Sequence, residues 1–130
     1  DEQGLRKILN FGHTLGHAVE SHFLTVTDKT TLLHGEAIAI GMILEAFLSV
    51  KAVGFPLESA DKIKGVFQAI YPKVRFDKDT ISEVIKMLMH DKKNENGNVL
   101  FVLLKAIGEP VWNQLVSEKH ILEAFDFYQA

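Results

Sequence analysis

An almost continuous apolar segment, residues 37–53, is the feature that most constrains how this chain can fold. Its charged side chains are Glu45 and Lys51, and it is shorter than the roughly 20 residues that a membrane span needs. A helix that is apolar on nearly all sides has to be surrounded by other parts of the protein. The segment therefore predicts a buried helix over residues 35–53 at the centre of a helical bundle, with no membrane partner.

Shorter segments with helical periodicity lie on both sides of this central helix. They cover residues 5–24, 58–70, 78–90 and 117–127. Either Asp77 or Asp79 is expected to cap the helix over 78–90, and Ser117 is expected to cap the last helix, because short polar side chains accept hydrogen bonds from the free amides of a first turn.

The segment after the helices has a different pattern. A turn-forming run at residues 94–98 precedes a β-prone segment, 99–104, which can pair with residues 110–115 as a hairpin. A chain of 130 residues can bury one core without disulfides or a structural metal. We therefore expect residues 1–130 to form one mainly α domain, a helical bundle with a small β-hairpin near its C-terminus.

Composition excludes several classes of protein. The formal net charge of -3 gives no general electrostatic reason to expect binding to nucleic acid. The chain has no cysteine, so it contains neither disulfides nor thiolate metal ligands, which is compatible with a cytoplasmic protein. Because the sequence begins at Asp1 and enters a dense polar motif at once, we expect further sequence upstream.

Three of the six histidines, His13, His17 and His34, occur in two motifs that are close together in the sequence. On a helix, His13 and His17 would project from one face about 6 Å apart along the axis, and the polar loop over residues 25–33 would deliver His34 to them. Three imidazoles, or two imidazoles and a carboxylate, can hold Zn²⁺ or a similar cation, and the spacing permits either set. The flanking Gly12 and Gly16 indicate that a ligand or another helix approaches the backbone closely.

The residues around these histidines resemble a known family. The matching segments are R-x-x-L-N-F-G-H-T-x-G-H-A-x-E at residues 6–20, H-G-E-A at 34–37 and D-K-K at 91–93. In this order and at compatible spacing, they resemble the C-terminal domain of the 3-dehydroquinate synthase family, which is largely helical.

The resemblance implies an NAD⁺- and metal-dependent lyase of the shikimate pathway, which leads to aromatic amino acids through chorismate. Such an enzyme converts 3-deoxy-D-arabino-heptulosonate 7-phosphate, an anionic sugar phosphate, into 3-dehydroquinate with loss of phosphate. Since these residues contain no glycine-rich turn between a strand and a helix, the resemblance places the NAD⁺ site mainly in an N-terminal domain that this chain lacks. The isolated chain is then expected to be inactive, and a homodimer is one assembly open to the complete enzyme.

The resemblance also assigns roles to individual residues. It makes His13 and His34 ligands of Zn²⁺ or Co²⁺, with a third ligand in the N-terminal domain. It gives His17 a part in proton removal and in contact with the substrate phosphate, which suits a group that titrates near neutrality. The other residues that it assigns contact the substrate; they are Glu2, Arg6, Asn10 and Lys92.

Other functions share parts of this pattern. Iron-type alcohol or glycerol dehydrogenases have a similar pair of histidines followed by His-Gly, and other sugar phosphate cyclases have a similar scaffold. A non-catalytic helical module that binds metal would need no dinucleotide site. The predicted anion contacts favour 3-dehydroquinate synthase, because a simple alcohol would need neither Arg6 and Asn10 nor Lys92.

Overall fold

A computed structural model describes residues 11–25, 34–92 and 99–130 of the chain. Within these ranges the chain forms five α-helices and one two-stranded antiparallel sheet. In chain order the elements are α1 (His13–Thr25), α2 (His34–Val53), α3 (Leu57–Ile70), α4 (Lys78–Lys92), β1 (Val99–Ala106), β2 (Glu109–Val116) and α5 (Glu118–Gln129). The expected fold class, mainly α with a small hairpin near the C-terminus, is confirmed.

Helix α2 lies at the centre of the fold, as its apolar sequence predicts. It packs against α1, α3, α5 and both strands. Because neighbours cover it on so many sides, its buried residues are not confined to one stripe; they are Ala37, Ala39, Ile40, Gly41, Ile43, Leu44, Glu45, Ala46, Leu48 and Ser49. Within the described ranges, none of the helices combines the length and apolarity that crossing a membrane requires.

The hairpin covers one side of this core. Strand β1 buries Val99, Phe101 and Leu103, which alternate along the strand and therefore point to the same face. Val99 pairs with Val116 at the open end of the hairpin, and Gly108 has a φ of 80° in the connection between the strands. Glycine accommodates that backbone conformation without strain.

Two of the predicted caps are present. The Asp77 carboxylate accepts a hydrogen bond from the Thr80 amide at 2.7 Å, and the Ser117 hydroxyl accepts one from the His120 amide at 3.3 Å. Of the two candidates for α4, the cap is therefore Asp77.

The start of the first helix differs from the expectation. The predicted helix over residues 5–24 is wrong at Phe11 and Gly12, which form a turn before α1 begins at His13. Gly12 has a φ of 85°, a left-handed conformation that interrupts an α-helix. The helix is therefore not continuous through residues 11 and 12, and Arg6 and Asn10 lie outside the described residues.

Candidate metal centre

Three histidines meet where α1 and α2 begin. His13 is the first residue of α1, His17 follows one turn later, and His34 is the first residue of α2. His13 is half-buried, whereas His17 and His34 are exposed. The two helices pack against each other, so their N-terminal ends bring all three rings to one open edge of the core.

The ring spacing is compatible with a shared cation. The ring centroids lie 5.2 Å apart for His13 and His17, 6.3 Å for His13 and His34, and 6.1 Å for His17 and His34. With Zn–N bonds of about 2.0–2.1 Å, two imidazoles on one tetrahedral ion have centroids roughly 5 Å apart. In residues 11–25, 34–92 and 99–130, however, no group of three or more His, Asp or Glu side chains is arranged to hold a metal ion. The side chains of the described residues alone therefore do not form a complete metal site.

Glu20 holds the ring of His34. The Nδ1 atom of His34 lies 3.2 Å and 3.1 Å from the two carboxylate oxygens of Glu20. A carboxylate at this nitrogen favours the tautomer in which Nδ1 carries the proton. The unprotonated Nε2 of His34 is then the nitrogen able to bind a cation.

Glycines allow α1 and α2 to approach each other closely. A Cβ atom on Gly41 would collide with the carbonyl oxygen of Gly12 and would lie 2.6 Å from the amide nitrogen of Gly16. A Cβ atom on Gly16 would lie 3.1 Å from the carbonyl oxygen of Ala37. Of the two explanations for the glycines beside the histidines, the structure shows the packing of one helix on another.

A buried carboxyl group lies beneath this helix crossing. Glu45 is fully buried, and its Oε1 and Oε2 atoms accept hydrogen bonds from the amides of Gly12 and Leu15, each at 2.9 Å. Burial raises the pKa of Glu45 to about 8, against the opposing effect of the two backbone donors. Glu45 is not among the predicted site residues, although a lone acid in an apolar segment is a signal that could have identified it.

The raised pKa of Glu45 predicts a pH-dependent stability. Between about 4.5, its ordinary value, and about 8, the folded chain holds a proton on Glu45 that the unfolded chain has released. The contribution of Glu45 to the free energy of unfolding is therefore largest at low pH and falls as the pH rises through this window. Urea denaturation between pH 5 and pH 8 should show a downward slope with pH that Glu45→Gln reduces. An equal slope in both proteins would contradict the prediction.

An apolar cleft of about 310 Å³ adjoins His13. It lies between the α1–α2 crossing and the turn of the hairpin, and its lining includes Phe11, Ile38, Met42 and Leu104. The three histidines therefore lie beside an open apolar cleft.

The remaining predicted site residues are not placed by the structure. Glu2, Arg6 and Asn10 lie outside the described ranges, as do residues 26–33 of the predicted loop. Lys92 is the last residue of α4, and its side chain is outside the described part of the chain. The described site therefore consists of His13, His17 and His34 with their supporting residues.

Comparison with known proteins at the level of sequence gives one family. The family model described as 3-dehydroquinate synthase C-terminal matches residues 1–94. The chain is 44% identical over 98% of its length to the 3-dehydroquinate synthase of Parabacteroides distasonis, and 37% identical over 93% of its length to that of Methylacidiphilum infernorum. It spans 36% and 33% of the lengths of these two relatives.

A solved structure has a similar fold. It is 2-deoxy-scyllo-inosose synthase complexed with carbaglucose-6-phosphate, NAD⁺ and Co²⁺, and it superposes with a TM-score of 0.70 at 25% sequence identity. The match covers 95% of this chain and 33% of that one.

Proposed function

This chain belongs to the 3-dehydroquinate synthase family, and on that premise we propose that it is the C-terminal domain of a cytoplasmic enzyme that forms 3-dehydroquinate. The substrate is 3-deoxy-D-arabino-heptulosonate 7-phosphate, which loses phosphate and closes into a ring in the shikimate pathway. The observation that carries the proposal is the meeting of three imidazoles at the adjoining ends of α1 and α2.

In this proposal His13 and His34 hold a divalent cation, Zn²⁺ or Co²⁺. A third ligand is proposed to come from a part of the enzyme that precedes this chain. Two imidazoles suit either cation. When bound, the cation withdraws electron density from the substrate oxygens and so favours loss of hydride to NAD⁺.

His17 is proposed to move a proton. It lies one turn after His13 on the same helix, and its exposed ring is 5.2 Å from that of His13. A substrate hydroxyl placed beside the His13–His34 pair would therefore be within reach of the His17 imidazole. This ring accepts the proton as the hydroxyl is oxidised, and it also contacts the phosphate region of the substrate.

Four other residues are proposed to bind the substrate, which carries a carboxylate and a phosphate. Arg6 supplies a planar guanidinium that can bind an anion through two hydrogen bonds, Asn10 supplies neutral donors, and Lys92 supplies a point charge. Glu2 is the fourth. NAD⁺ is proposed to bind mainly to the preceding domain, so the reaction takes place between the two domains.

Phosphate release is the experiment that tests the proposed function. The complete protein that contains this chain, supplied with NAD⁺ and Co²⁺, should release phosphate from the keto-acid sugar phosphate, whereas the 130-residue chain alone should not. If the complete protein leaves this substrate intact, the proposal is wrong.

A sugar phosphate cyclase of different specificity is the second candidate. The structural similarity to 2-deoxy-scyllo-inosose synthase favours it, because that protein is complexed with a glucose-6-phosphate analogue. The same assay with glucose-6-phosphate, which has no carboxylate, separates the two candidates. A simple alcohol as the preferred substrate would instead favour an iron-type dehydrogenase, and metal binding without turnover in the complete protein would favour a non-catalytic module.

Glu20 provides a test of how His34 is oriented. Glu20→Gln removes the charge that holds the Nδ1 proton of His34, so we expect the complete enzyme to bind Co²⁺ roughly 10-fold more weakly. Titration by the visible absorbance of Co²⁺ measures the change. Glu83→Gln is the control, because Glu83 is an exposed residue of α4 that pairs with Lys86. Equal affinity in the Glu20→Gln and Glu83→Gln variants would show that Glu20 does not orient His34.

A further inference from the structure

Glu45 is an unusual residue to find in this core. Together with Ser49 it makes up the buried polar and charged side chains of the described residues. Burying a carboxyl group is unfavourable unless hydrogen bonds replace its contacts with water. Here both of its oxygens accept backbone hydrogen bonds, which places a strong polar contact inside an otherwise apolar interface between helices.

The two donors to Glu45 lie on either side of His13. Gly12 precedes this histidine, and Leu15 follows it in the same turn of α1. The first amides of an α-helix have no partner within the helix, and Gly12, directly before the helix, has no side chain to accept from them. The acceptor therefore comes from α2, which fixes the backbone that carries His13.

The same contact joins the two helices that carry the candidate metal ligands. Glu45 is on α2 eleven residues after His34, about three helical turns along the same rigid element. A shift of the first turn of α1 relative to α2 would break the hydrogen bonds from Gly12 and Leu15. These two hydrogen bonds to Glu45, which we call the clamp, therefore fix the position of His13 with respect to His34. The ring centroids of the two histidines lie 6.3 Å apart.

We propose that Glu45 is a positioning residue for the metal centre, whose carboxyl group holds the first turn of α1 so that the His13 imidazole stays in place to share a cation with His34. This inference rests on the proposed function for the cation itself. It predicts that removing the clamp impairs metal binding beyond any effect on the stability of the fold.

The positioning role of Glu45 is tested by measuring both the Co²⁺ affinity and the stability of Glu45 variants. In the complete enzyme, Glu45→Leu should weaken Co²⁺ binding by about 10- to 100-fold, the range found when groups supporting metal ligands are removed. Glu45→Gln keeps one acceptor oxygen and should give a smaller loss, which keeps the test usable if the leucine variant does not fold. Urea denaturation of each variant measures its stability.

Ser49→Ala is the matched control. Ser49 is also fully buried on α2, and its hydroxyl accepts a hydrogen bond from the amide of Leu104 at 2.9 Å, in β1 rather than in α1. Both Glu45→Leu and Ser49→Ala remove a buried acceptor from a backbone amide, so both should lower stability. The Ser49→Ala variant should bind Co²⁺ within about twofold of the unsubstituted enzyme, because its lost hydrogen bond is to β1 and not to the backbone that carries His13.

Amide hydrogen exchange at Gly12 and Leu15, measured together with Co²⁺ binding, distinguishes a failure of this inference from a failure of the proposed function. Faster exchange at both amides in the Glu45 variants, together with weaker Co²⁺ binding, supports the inference. If the Glu45 variants bind Co²⁺ as tightly as the unsubstituted enzyme, or lose no more affinity than Ser49→Ala, the inference is overturned and the function stands. If the unsubstituted enzyme binds no Co²⁺, the proposed function and the metal-positioning role both fail, although faster exchange at Gly12 and Leu15 would still show the clamp.

Discussion

Replacing His13 by Ala is expected to lower turnover by the complete enzyme roughly 10³-fold or more, together with the loss of bound metal. Losing one well-placed donor to a developing charge costs about 10²–10³ in rate, and losing a cation that acts on the substrate oxygens should cost at least as much. Since this chain is proposed to provide two of the metal ligands, the remaining His34 would leave the cation too weakly held.

His22→Ala is the control for this substitution. His22 is on the same helix, nine residues after His13, which at 3.6 residues per turn places it on the opposite side of α1. Its ring packs on Phe23, with centroids 5.4 Å apart. Phosphate release and the metal content of each purified variant are the measurements. A His13→Ala enzyme with normal metal content, or two variants equally impaired in turnover, would remove His13 from the proposed ligand set.

The spacing of apolar and polar residues predicts those helices and strands whose formation depends on residues close to one another in the sequence. The central helix α2 could be predicted because apolar residues occupy nearly all of its sides, and the hairpin because two short β-prone segments follow a turn-forming run that ends the helical pattern. The i, i+4 spacing of His13 and His17 likewise requires only helical geometry. Each of these features depends on neighbouring residues, which a single sequence displays.

Contacts between distant residues could not be predicted in the same way. The periodic pattern continues through Gly12, yet the helix starts only after it, and the amide of Gly12 donates a hydrogen bond to Glu45, 33 residues later in the chain. No residue near Glu45 in the sequence indicates that its carboxyl group accepts a hydrogen bond from Gly12. The meeting of His34 with His13 and His17 is expected from the sequence, but the distances between their rings depend on how closely two helices cross, and that distance is set by Gly41.

Gly41 therefore leads to the second large expected effect. In Gly41→Ala the added methyl group would overlap the carbonyl oxygen of Gly12 and lie 2.8 Å from the Cα atom of Gly16. Both are backbone atoms, so no side chain can move aside to make room, and α1 must move away from α2. Overpacking of this kind, together with weakened hydrogen bonds to Glu45, should lower the free energy of unfolding by about 3 kcal/mol.

Gly65→Ala is the matched control for Gly41→Ala. Gly65 is an exposed residue within α3, and a Cβ atom there would meet nothing within 4 Å. Alanine restricts the unfolded chain more than glycine does, so this variant should gain roughly 0.5–1 kcal/mol. Urea denaturation followed by circular dichroism measures both changes. The two substitutions are expected to change the free energy of unfolding in opposite directions. A Gly41→Ala chain as stable as the unsubstituted one would mean that α1 and α2 are not held at this distance. The grouping of the three histidines would then lose its structural basis.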